Sequence, residues 1–120
     1  SAKRLDTVAL AALAAGRTGD RSMIPRLREL LRSRFVLARI NAARSLGMLG
    51  DTASAPQLRR MLGYRRDENV RAAAAEALGH LKDAESIPAL KEAMKDEPFP
   101  WVRREMQKAI RATNREHKAR

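Results

Sequence analysis

Apolar residues along this chain fall into two alternating registers, one rich in leucine and one in alanine. The leucine register shows helical spacing at Leu27, Leu30 and Leu31, and again at Leu58, Met61 and Leu62. Residues three and four apart share one face of a helix. The alanine register carries the pairs Ala11-Ala12, Ala42-Ala43 and Ala74-Ala75. Alanine and leucine favour helix because they lose little side-chain freedom there. No window alternates β-branched and polar residues as a half-buried strand does. The pattern predicts an all-α chain of seven helices, over about 4–16, 21–33, 36–48, 52–63, 67–80, 85–95 and 100–116.

The two registers recur at a fixed distance. The block from Ala38 to Asp51 returns as Val70 to Asp83, 32 residues later. Asp20, Asp51 and Asp83 are each followed, five residues on, by Pro25, Pro56 and Pro88. Gly16, Gly47 and Gly79 align ahead of them. A period in this range means stacked helix–turn–helix units, each unable to bury its apolar stripe alone. Glycines near the end of each first helix act as stop signals, because glycine accepts the left-handed backbone of a helix terminus. The aspartate sits in the turn, where its side chain can satisfy free amides. The proline falls in the first turn of the second helix, where a missing N–H costs nothing. We expect one domain over 1–120, with repeats at about 4–34, 35–66 and 67–98 and a half-repeat at 99–116.

The motif Val-Arg-x-x-Ala-Ala-x-Ala-Leu-Gly-x-Leu-x-Asp, followed by Ile-Pro-Ala-Leu, is carried almost whole by residues 70–90. It resembles HEAT repeats, and more narrowly the short HEAT-like repeats of phycobilisome lyases. The resemblance spans about 7–110. It departs at Ala38 and Ala55, which replace larger residues, and at Thr18, which stands where Leu49 and Leu81 stand. It implies a right-handed α-solenoid of about three and a half repeats. It also implies a structural ladder, in which Arg39, Arg71 and Arg103 of the first helices bridge to the turn aspartates Asp51 and Asp83 of neighbours. Such folds serve many roles, so function has to be argued from residues.

Composition narrows the chemistry. With no cysteine, disulfides and thiolate sites are excluded, which fits a reducing compartment and a cytoplasmic location. Lys3 to Ala15 has the outline of a weak signal peptide but also fits the repeat frame, and no run is long enough to span a membrane. His80 and His117 lie far apart without metal-ligand spacing, so neither a metal nor a cofactor is expected. The acid pairs Asp67-Glu68 and Asp96-Glu97 precede first helices, where they favour the positive helix start. Phe99 and Trp101 are expected to plug the end of the core. No catalytic constellation emerges, and the chain reads as non-enzymatic.

Charge changes the picture more. The chain holds 25 Lys and Arg against 14 Asp and Glu, a net +11. Residues 1–66 carry +10, residues 67–99 carry −4 and residues 100–120 carry +5. Arg28, Arg59 and Lys91 fall eight residues after the three turn aspartates, and Arg32 and Lys95 one turn further on. With Arg60 they predict a basic column along the second helices, widened by Arg26, Arg65 and Arg66 and partly offset by Glu29 and Glu92. The column is the candidate binding site for an acidic protein segment. The alternatives are a nucleic-acid module that contacts backbone phosphates, whose affinity would fall steeply with salt, and a lyase-like subunit. The first helix, with Val8, Leu10, Leu13 and little polar surface, is expected to be covered by another copy or by further repeats of a larger assembly.

Overall fold

The helical spacing in the sequence sets the architecture directly. A computed structural model describes residues 2–118; Ser1, Ala119 and Arg120 of the expected domain lie outside it. Seven α-helices follow one another: α1 Ala2–Thr18, α2 Ile24–Leu30, α3 Val36–Met48, α4 Ala55–Met61, α5 Glu68–Leu81, α6 Ser86–Asp96 and α7 Pro100–Lys118. Single 3-10 turns, Arg21–Met23 and Thr52–Ser54, lead into α2 and α4, and Pro25 and Pro56 occupy the opening positions of those helices. The described residues contain no strand.

The helices form two layers. The odd-numbered helices α1, α3, α5 and α7 pack side by side, and α2, α4 and α6 each pack against the odd helix that follows, α3, α5 and α7. The extents, 44 × 32 × 19 Å, are those of a slab two helices thick. Leu27, Leu31, Leu58, Leu62 and Leu90 project from the even layer onto Leu46, Val70, Leu78, Val102 and Met106 of the odd layer, all fully buried. The leucine and alanine registers are therefore the two faces of one continuous core.

The odd layer is close-packed through small residues. A Cβ on Gly47 would lie 2.7 Å from Ala77 Cα, and one on Gly79 would lie 3.2 Å from Ala109 Cα. These glycines permit backbone approach; they do not stop the helices, as the sequence suggested. The chain is turned instead by Gly19, Gly50 and Lys82, one residue before each turn aspartate, with φ of +74°, +70° and +53°. The α1–α3 seam differs from the next. Asn41 Nδ2 donates to Ala9 O at 2.8 Å, and the Ser45 hydroxyl donates to Ala12 O while accepting from Gly16 N–H. At the equivalent positions of α5 stand Ala73 and Ala77, both fully buried.

Candidate binding face

The turn aspartates find their partners on the second helices. Arg28 of α2 grips Asp51 with two bonds, Nε to Oδ2 at 2.8 Å and Nη2 to Oδ1 at 2.6 Å. Arg59 of α4 reaches Asp83 at 3.0 Å and the Ser86 hydroxyl at 3.2 Å. Each pair ties a repeat to the next, so the register ladder is real but built from other arginines than expected. The hydrogen bond to Asp51 and the charge of that carboxylate hold Arg28 above its ordinary pKa, against the opposing effect of burial.

The expected ladder members Arg39, Arg71 and Arg103 cannot reach those aspartates. Each lies in the first turn of its helix, whereas Asp51 and Asp83 lie past the last. Arg39 lies nine residues before the end of α3 at Met48, about 14 Å at 1.5 Å per residue, and Asp51 lies beyond that end. These arginines instead bind carbonyls at the opposite edge, where the second helices end. Arg39 donates to Ser33 O at 3.0 and 2.7 Å, Arg71 to Tyr64 O at 3.0 Å and Arg103 to Glu97 O at 2.6 Å. Cations beside the carbonyl ends of helices are favourable.

Arg71 makes a further contact that sequence reasoning missed. Its Nε and Nη2 meet Glu97 Oε1 and Oε2 at 2.6 and 3.0 Å, with side-chain exposures of 3% for Arg71 and 0% for Glu97. Glu97 also accepts from Phe99 N–H at 3.1 Å. Burial pushes the Glu97 carboxyl up, but the hydrogen bonds from Arg71 and Phe99 N–H, with the charges of Arg71 and Arg65, outweigh it and hold it below the usual value. The sequence signal was the acid pair before α7, read as a helix-start device. The first pair does play that role: Asp67 caps α5 through Asn69 N–H at 2.7 Å, and Glu68 stands in the first turn of that helix.

The ladder and local pairing thin the basic column. Arg28 and Arg59 are engaged as above, Arg26 pairs with Glu29 at 3.0 Å, and Lys95 pairs with Glu92 at 3.4 Å. Arg32, Arg60 and Lys91 remain exposed without a carboxylate partner among the described residues. Each second helix, or the turn that closes it, thus keeps one uncommitted cation. Lys91 has the ladder position but no aspartate ahead of it, because α7 runs on and places Arg115 where the next turn aspartate would fall.

Two clefts separate the second helices. One, of about 400 Å³ between α2 and α4, is lined by Arg32, Arg39, Gln57, Arg60 and Tyr64 with apolar floor residues. The other, of about 500 Å³ between α4 and α6, mixes Arg59, Arg60 and Arg65 with Glu92 and Asp96.

The remaining candidates resolve plainly. Phe99 and Trp101 do not plug the core: they are 40% and 37% exposed, because the Pro98–Pro100 turn carries them outward and Val102 and Met106 fill the interior. His80 is exposed, and His117, inside α7 rather than in a frayed tail, reaches Lys82 O at 3.0 Å. No cluster of His, Cys, Asp or Glu among the described residues has the geometry of a metal site. No described helix is long and apolar enough to cross a membrane.

No curated protein matches the chain significantly. The family model of HEAT repeats matches residues 5–65 and again 34–111, spanning nearly the whole helical array. Members of such a family commonly act as protein-interaction scaffolds, as stacked helices offering long surfaces can do. With its period, its two helix layers and this match, the chain belongs to the HEAT repeat family.

Proposed function

We propose that the chain is a non-enzymatic scaffold that binds an acidic protein segment across α2, α4 and α6. The observation that carries this is a set of three exposed, uncommitted cations, Arg32 in the turn that closes α2, Arg60 on α4 and Lys91 on α6. The chain's net +11 steers an acidic partner toward such a face and raises its on-rate. A reducing compartment such as the cytoplasm suits a chain without cysteine. Leu10 of α1, 65% exposed, is the apolar surface through which a second copy would associate; a monomer in sedimentation equilibrium at high concentration would count against that contact.

The test is a titration of an acidic peptide and of duplex DNA at two salt concentrations, on the parent and on an Arg32→Glu/Arg60→Glu/Lys91→Glu variant. The peptide binds the parent and loses the variant, while DNA binds more weakly than the peptide at the higher salt. Equal peptide affinity for both proteins would sink the proposal. Arg28 and Arg59 are left intact because they hold the ladder.

A further inference from the structure

We propose that the cleft between α2 and α4 seats a phosphorylated side chain of the partner segment, a proposal that rests on the acidic-partner reading and gives it a chemical specificity. Three arginines, Arg32, Arg39 and Arg60, line this cleft together with Gln57 and Tyr64, and no acidic residue does. The neighbouring cleft between α4 and α6 has the same repeat origin but contains Glu92 and Asp96.

The difference is written into the repeat. Arg60 falls nine residues after its turn aspartate, where the other two units carry Glu29 and Glu92. Arg65 falls 32 residues before Glu97, at the position that neutralises Arg71 in the next unit. Both acids that the repeat frame would supply to the middle unit are therefore arginines. Arg39 in consequence has no carboxylate among the described residues, whereas its equivalent Arg71 is fully paired.

Arg39 is also held in place. Its Nε and Nη2 bind Ser33 O, and its guanidinium lies over the Tyr64 ring at 4.7 Å. That leaves Nη1 without a hydrogen bond among the described residues, on an arginine that lines the cleft. Arg32 and Arg60 are exposed and able to close over a ligand. A carboxylate matches one guanidinium fork. A phosphate monoester carries about −1.5 to −2 charge and three acceptor oxygens, enough for several guanidinium groups at once.

The experiment uses the full chain and three labelled probes: an acidic peptide carrying one phosphoserine, and the same peptide with serine or glutamate there. Fluorescence anisotropy should show the phosphopeptide binding about tenfold more tightly than the glutamate peptide. Arg60→Gln should remove that preference, and so should Arg32→Gln, which serves as a second variant if the first melts early. Lys91→Gln, with the same loss of charge, should weaken all peptides alike and keep the preference. Equal binding of the phosphoserine and glutamate peptides overturns the phosphate seat and leaves the acidic-partner reading standing. Retention of the preference in both Arg60→Gln and Arg32→Gln also overturns it. Failure of every peptide to bind overturns both.

Discussion

The two helix layers of this molecule are held by opposite means. In the odd layer the contacts are mainly alanine against alanine and glycine against backbone, with the Asn41 and Ser45 hydrogen bonds added at the α1–α3 seam, and the ion pair between α3 and α5, Arg44 to Glu76, is half-exposed. In the even layer the helices stand apart over open clefts, and α2 and α4 are each tied to the next repeat by an arginine and a turn aspartate. The odd layer also has a cleft, of about 370 Å³ between α5 and α7, but there Glu76 and Glu105 stand beside His80, Lys82 and Lys108, so its charge is mixed. A layer tied by polar bonds at one edge keeps its outer face open. We therefore assign stability chiefly to the odd layer and propose the even layer as the binding surface.

The largest effect should come from the buried pair that joins α5 to the turn before α7. Arg71→Ala strands the Glu97 carboxylate and should cost about 3–5 kcal/mol in chemical denaturation. The same pair gives stability its acid limb. Glu97 titrates below its usual value in the folded chain, so its contribution is complete above the unfolded carboxyl pKa. It should be lost as pH falls from about 4 through the folded value, and the loss should be absent in the Arg71→Ala/Glu97→Gln double variant.

Next comes the close-packed seam. Gly47→Ala gains helix propensity but drives its Cβ into the Ala77 backbone, for a net loss of about 1–2 kcal/mol. Gly79→Ala, whose nearest neighbour is at 3.2 Å, should cost less in the same assay. A Gly47→Ala protein as stable as the parent would show that the odd layer is looser than described. The smallest effect has the opposite sign. Lys82 holds a left-handed backbone where the other units have glycine, so Lys82→Gly should add about 0.5–1 kcal/mol.

The fold was legible because its determinants are local and periodic: the 32-residue offset, the turn aspartates and the prolines placed all seven helices within a few residues. The ladder was not, because pairing depends on which edge of the slab a residue occupies. Arg28 and Arg39 look alike in a repeat alignment, yet only Arg28 lies near the aspartate edge. The buried role of Glu97 escaped for a related reason. Its partner Arg71 lies 26 residues away, a separation that no helical period connects. The exposure of Phe99 and Trp101 turned on the direction of one proline-flanked turn.

The most direct test of the division between layers compares two substitutions that remove one positive charge each from the even layer, Arg28→Gln and Arg60→Gln. Melting temperature and acidic-peptide affinity are measured on both. Arg28→Gln should lower the melting temperature, because Asp51 loses its partner, and change affinity little. Arg60→Gln should weaken binding and leave the melting temperature unchanged. If both variants lose binding equally while neither melts early, the ladder is only a surface feature and the assignment of arginines to structure or to binding is wrong.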